Sequence, residues 1–85
     1  MVSIEWTEGA TKDLEKLDRP IARRILRRLT WFSKNFQSVV PESLTGELKG
    51  AFKFRIGDWR AVYTLEGKTI VIQFISHRSD IYRIK

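Results

Sequence analysis

Phe52 to Tyr82 reads FKFRIGDWRAVYTLEGKTIVIQFISHRSDIY, and this stretch decides the fold. Two alternating runs flank Gly57-Asp58, a pair with the chemistry of a two-residue hairpin loop because glycine tolerates positive φ. Glu66-Gly67-Lys68 supplies the next turn, so the stretch predicts a three-strand meander. With Gly57 and Asp58 as the loop, Ile56 faces Trp59, Arg55 faces Arg60 and Lys53 faces Val62. Side chains alternate faces along a strand. One face then takes Phe52, Phe54, Ile56, Trp59, Ala61, Tyr63, Leu65, Ile70, Ile72 and Phe74, and is apolar enough to be the core. The other takes Lys53, Arg55, Arg60, Val62, Thr64, Val71, Gln73, Ile75 and, just past the strand, His77. Strict alternation thus carries His77 to the Arg60 end of a cationic face that holds no acid.

Arg55 and Arg60 are directly opposed, and like charges in that position destabilise a hairpin. An anion between them removes the penalty, and the planar guanidinium fork suits phosphate. The competing reading is a solvated face whose long side chains splay apart.

Working towards the N-terminus, Gln37 to Gly50 is a connecting segment punctuated by Pro41, Gly46 and Gly50. Its acids, Glu42 and Glu47, have no partner at a useful spacing. Ile21 to about Phe36 is helical: Ile21, Ile25, Leu29 and Phe32 form a stripe, widened by Ala22, Leu26 and Phe36. Its outer face carries Arg23, Arg24, Arg27 and Arg28, with Arg19 and Lys34 at the ends. That face is either a solvated, steering surface or a dock for an acidic partner or nucleic-acid backbone. A shorter helix runs to about Leu17 behind Thr7 as N-cap, burying Ala10, Leu14 and Leu17. Pro20 fits the first turn of the second helix, with Asp18 as its cap. Val2, Ile4 and Trp6 alternate with Ser3 and Glu5 as a first strand.

The chain of 85 residues makes a single domain, spanning 1–85, with 42% hydrophobic content and no cysteine. A domain this small buries only about 60–65% of its extended-chain surface, so modest stability is expected. The formal charge of +6 directs attention to polyanionic partners, nucleic acid or an acidic protein. No apolar run follows basic residues at the N-terminus and no stretch reaches spanning length, so a cytoplasmic protein with no membrane partner is expected.

The chemistry available is narrow. One histidine and no cysteine cannot build a structural zinc site, and neither a metal nor a cofactor is expected. The glycines lack the phosphate-loop spacing, Ser76 beside His77 does not set triad geometry, and no carboxylate pair lies on the polar face. What remains is a cluster of cations with His77 and Tyr82 nearby. That inventory suits attack by a ribose 2′-hydroxyl on its own neighbouring phosphate, which needs charge stabilisation and two proton-transfer groups.

The order strand, two helices and three-strand meander, with Leu48-Lys49-Gly50 before the meander, resembles the RelE/ParE superfamily of bacterial and archaeal toxins. Lys53 to Tyr63 is similar to that family's basic strand, turn and aromatic-Arg-x-x-Tyr pattern. His77-Arg78-Ser79-Asp80-Ile81-Tyr82 resembles its terminal His-Arg-x-x-x-Tyr signature. The resemblance covers nearly the whole chain. It implies an α+β fold, in which an N-terminal strand and a two-helix hairpin pack on a largely antiparallel sheet completed by the meander.

RelE-like members are endonucleases that cut messenger RNA in the ribosomal A site, ParE-like members poison DNA gyrase, and an antitoxin protein neutralises both. The resemblance therefore implies an mRNA interferase with a cognate antitoxin, the ribosome and mRNA as partners. Arg55, Arg60, His77 and Tyr82 would be catalytic, and Lys49, Lys53 and Arg78 would bind substrate phosphate. A ParE-like gyrase inhibitor and a non-catalytic binding module of the same fold are the alternatives. In the best-known RelE-like member an arginine that helps protonate the leaving group lies one position before the place His77 holds here; this chain has Ser76 there, which favours the binding module.

Overall fold

The computed structural model describes residues 2–80, and Tyr82 lies outside the described residues. Strand β1 (Ser3–Trp6) leads into helices α1 (Glu8–Glu15) and α2 (Arg19–Lys34), followed by strands β2 (Glu42–Ser43), β3 (Phe52–Ile56), β4 (Trp59–Glu66) and β5 (Thr69–His77). The sheet runs in the order β1-β5-β4-β3-β2. β1 is parallel to β5 and every other pairing is antiparallel. The α+β architecture is the expected one, with one addition. Residues 42–43, inside what reads as a connecting segment, pair with β3 as a short edge strand, Glu42 opposite Lys53.

Thr7 caps α1 as its position predicts, its Oγ1 accepting from the Ala10 amide at 3.1 Å. The helix stops at Glu15 instead of reaching Leu17. Asp18 occupies the N-cap position of α2, with proline in the first turn, but its side chain makes no capping bond. The α2 stripe buries Ile25, Leu29 and Phe32 against the sheet, whereas Leu26 is 44% exposed because it lies about 100° round the helix from Ile25.

Phe32 is the hinge of the core. Its ring stacks on Phe54 at 4.2 Å and meets Tyr63 edge-on at 5.3 Å, with Ile56, Ala61, Ile70 and Ile72 around them. Burial, with the Glu42 carboxylate adding to it, pushes the Tyr63 phenol pKa up to about 12.

The β3–β4 register is as read from the sequence: Arg55 opposite Arg60, Ile56 opposite Trp59, Lys53 opposite Val62. Gly57 turns the loop at φ +61°, a conformation that costs a side-chain-bearing residue more than glycine. The β4–β5 pairing departs from strict alternation. Thr64 faces Val71 and Tyr63 faces Ile72, but Val62 faces Phe74 and Ala61 faces Ile75, so Gln73 is an extra, bulged residue. Beyond the bulge the two faces exchange. Ile75 joins the core, while Phe74 crosses to the opposite face and packs with Leu44, Leu48, Ala51 and Val62. His77 moves too, to a position opposite Trp59, and Ser76 takes its place opposite Arg60.

α1 stabilises this bulge from the open side of β5. Thr7 Oγ1 donates to the Gln73 carbonyl at 3.0 Å, and the Ile75 amide donates to Asp13 Oδ2 at 3.0 Å. Backbone groups that β1 is too short to reach are thereby satisfied, as buried polar groups must be.

Candidate functional site: a cationic sheet face

Three adjacent strands bring the expected phosphate ligands together. Arg55 on β3 and Arg60 on β4 are cross-strand partners, with Ser76 next to Arg60 on β5. Lys53 lies two residues from Arg55 on the same face, between Glu42 and Val62. The face is not free of acid as expected. Arg55 donates through Nε at 3.2 Å to Glu42 Oε2, and its Nη2 makes an ion pair with the same oxygen at 3.1 Å. Arg60 turns the other way, its Nη1 donating to the carbonyls of Gly57 at 2.8 Å and Trp59 at 2.9 Å. A guanidinium carries five N–H donors, so each arginine has donors beyond those bonds to offer an anion.

Further cations converge on the β3–β4 loop. Arg78 donates its amide to the Asp58 carbonyl at 2.8 Å and holds the Asp58 carboxylate at 3.7 Å. Arg24 arrives from α2: a Cβ placed on Gly57 would stand 2.8 Å from its Nη2. Glycine at 57 thus serves both the turn and the close approach of Arg24. The arginine face of α2 and the cationic end of the sheet meet at this loop. Arg28 stays with the helix, its guanidinium 4.7 Å from the Trp31 ring and 5.5 Å from Phe54.

His77 stands apart from Arg60. The bulge turns it to the helix-side face, where its ring meets Trp59 edge-on at 5.4 Å. Its Nδ1 accepts from the Ser79 amide at 3.3 Å and lies 2.9 Å from Ser79 Oγ. Accepting through Nδ1 puts the proton of the neutral ring on Nε2, the nitrogen left for other chemistry. Ser76 is 6% exposed, with its hydroxyl bonded to the neighbouring His77 carbonyl at 3.3 Å. Ser76 therefore offers no exposed group beside Arg60.

Lys49 is exposed on the segment before β3, at the rim of a groove of about 500 Å³ floored by the same sheet face. Among the described residues no cluster of three or more histidine, aspartate or glutamate side chains could hold a metal. No helix among them is long and apolar enough to cross a membrane.

Two members of this constellation escape a reading of sequence spacing. Glu42 reaches Arg55 only because β2 forms, thirteen residues away in sequence, and its one signal is an acid in a short segment bounded by Pro41 and Gly46. Arg24 reads as one arginine among several on a helix face, and nothing in its spacing points to Gly57.

The chain matches known proteins over nearly its full length. The family described as the ParE toxin of type II toxin-antitoxin system, parDE, matches residues 4–82. Toxin RelG of Mycobacterium tuberculosis is 34% identical over 87 residues, covering 95% of each chain. Among solved structures, the toxin–antitoxin complex RelBE2 from Mycobacterium tuberculosis contains a chain that superposes with a TM-score of 0.79 at 29% identity, over 91% of this chain and 98% of that one. The RelB-RelE antitoxin–toxin complex from Methanococcus jannaschii shares the fold at 20% identity, with a TM-score of 0.71 over 95% of this chain and 98% of that one. The strand-helix-helix-meander order, the opposed arginines and these matches converge: the chain belongs to the ParE toxin family of type II toxin–antitoxin systems, within the RelE/ParE superfamily of toxins.

Proposed function

We propose that this toxin is a metal-independent endoribonuclease that cuts messenger RNA on the ribosome and is restrained by a cognate antitoxin. The observation that carries the reading is the Arg55–Arg60 pair, opposed on a sheet face with Lys53 beside it and Lys49 at its rim. In the proposed reaction the ribose 2′-oxygen bonds to the neighbouring phosphorus, and the bond from phosphorus to the departing 5′-oxygen breaks. A 2′,3′-cyclic phosphate and a 5′-hydroxyl result. Arg55 and Arg60 stabilise the charge that builds on the phosphoryl oxygens, and Lys49, Lys53 and Arg78 hold flanking phosphates. Tyr82 takes the 2′-proton and His77 returns one to the leaving oxygen. Its ring lies on the other face from Arg60, so His77 can serve that role only through Nε2 and only round the end of β5.

The antitoxin is expected to be an acidic, amphipathic segment. The α2 face supports this, because Leu26 and Trp31 are 44% and 41% exposed among its arginines, so apolar burial can accompany charge pairing. The related chains in RelBE2 and RelB-RelE were solved as antitoxin complexes.

A second reading, a gyrase inhibitor, is favoured by the ParE description of the matching family. Primer extension on mRNA from cells after induction separates the two. Discrete cleavage within translated codons is expected; intact transcripts with arrested replication would put the gyrase reading ahead.

A further inference from the structure

The bulge at Gln73 does more than reorient His77. It delivers two consecutive side chains, Gln73 and Phe74, to the face that carries Arg55 and Arg60. Without it Phe74 would point into the core, and among the described residues this face would hold no aromatic ring. Both residues line the groove of about 500 Å³ between the sheet and the segment before β3. Leu48 and Ala51 pack with half-buried Phe74 along its apolar side. At the other side Gln73 Nε2 donates to Thr64 Oγ1 at 3.0 Å, and both side chains are half-buried. Lys49 and Glu47 stand exposed at the mouth.

We propose that this groove holds one nucleobase of the RNA strand whose phosphate is bound by Arg55 and Arg60, and that Gln73 and Thr64 read that base as adenine. The inference rests on the nuclease reading above. Continuity of the face supports it: Phe74 is two residues from Ser76, the cross-strand neighbour of Arg60, a spacing of roughly 7 Å along a strand. A base can cover that distance from its own phosphate. An aromatic and aliphatic lining accepts any base by stacking, so selectivity falls to the polar side. After the bond between them, Gln73 keeps its Oε1 acceptor and one Nε2–H donor, and Thr64 keeps its hydroxyl hydrogen. A glutamine amide in that state matches the neighbouring donor and acceptor of adenine, N6–H and N7. Guanine offers two acceptors on the same edge and leaves the Gln73 oxygen unpaired, which is costly once buried.

The test uses single-turnover cleavage on ribosomes programmed with each of the four bases in turn next to the scissile phosphate. A parallel NMR titration of the free protein uses the four 5′-monophosphates and follows the Gln73 side-chain amide. Wild type is expected to favour adenine by roughly 5- to 150-fold, the range of one bidentate contact. Gln73→Ala should level the four bases while its amide spectrum stays that of a folded protein, because the bulge is held by the backbone carbonyl of residue 73 and not by its side chain. Adenosine monophosphate should shift the Gln73 amide more than the other three. If wild type cuts but Gln73→Ala keeps the same preference, or if all four nucleotides shift the amide equally, the base site is wrong and the nuclease reading stands. If wild type cuts nothing yet adenosine monophosphate shifts Gln73 selectively, the base site stands and the nuclease reading fails. If neither cleavage nor a shift is seen, both fail.

Discussion

Arg55 and Arg60 face each other across the β3–β4 hairpin, yet their guanidinium groups part, one to Glu42 Oε2 and the other to the carbonyls of Gly57 and Trp59. The like-charge cost of the pairing is offset by groups of the protein itself. Glu42→Ala should expose that cost and destabilise the domain by up to about 1 kcal/mol, the scale of a half-exposed ion pair and an opposed like-charge pair. In the Glu42→Ala background, Arg60→Ala should be less destabilising than in wild type. A double-mutant cycle by urea unfolding reads the difference, and strict additivity would mean that the two arginines do not feel each other.

Arg60→Ala alone should abolish growth arrest while shifting stability by no more than about 1 kcal/mol, since it exchanges two hydrogen bonds, one exposed and one half-buried, for relief of repulsion. Growth arrest persisting at matched expression would show that the cationic face is not the site of toxicity.

The β5 bulge depends on α1. Thr7→Val keeps the shape of the side chain but removes both the helix cap and the donor to the Gln73 carbonyl. A loss of about 1–3 kcal/mol is expected, with Thr7→Ser retaining most of the stability. Asp13→Ala should cost a similar amount by leaving the Ile75 amide unpaired. Unfolding midpoints measure both. A Thr7→Val protein as stable as wild type would mean that the bulge holds itself.

Local chemistry made the hairpin register legible: a glycine loop and clean alternation place Arg55 opposite Arg60, and a threonine followed by a helical pattern places the α1 cap. What lay beyond reading depends on partners distant in sequence. A bulge is one extra residue, and the run Ile70 to Ile75 alternates no less plausibly without it. Its stabilising groups, Thr7 and Asp13, come from the other end of the chain. The positions of Phe74, Ile75 and His77 follow from it. β2 was equally hidden, because two residues beside a proline carry no periodicity, and with it went the Glu42 partner of Arg55.

Tyr63 carries a pH dependence whose sign follows from its environment. Burial and Glu42 raise its phenol to about 12 from the model-peptide 10.0. Below pH 10 the phenol is protonated in folded and unfolded chains alike, and its contribution is constant. Between pH 10 and 12 the unfolded chain loses the proton while the folded one keeps it, so stability falls as pH rises. The loss should approach about 2 kcal/mol by pH 12, in line with the free energy of a pKa shift of this size. Tyr63→Phe should remove this component from the stability–pH curve. Matching curves for the two proteins above pH 10 would indicate that water reaches the phenol.

The acid–base assignment is tested by two substitutions with different expected signatures. Cleavage requires removal of the 2′-proton and protonation of the departing 5′-oxygen. Tyr82→Phe removes a hydroxyl and no bulk, so it should lower single-turnover cleavage on programmed ribosomes much more than it lowers ribosome binding. His77→Gln is chosen because glutamine Oε1 can accept the Ser79 amide that Nδ1 accepts now, which keeps the turn after β5. What it loses is the Nε2 proton. Glutamine cannot act as a general acid, so the variant should lose the limb of the pH–rate profile that reports the acid. The bulge makes this the most exacting of the tests, because His77 and Arg60 stand on opposite faces of the sheet. A profile that keeps both limbs would confine His77 to holding the turn against Trp59, and would pass the acid role to Arg78 or to a ribosomal group. Wild-type rates from both variants would remove His77 and Tyr82 from the reaction and leave its proton transfers to other groups of the toxin or the ribosome.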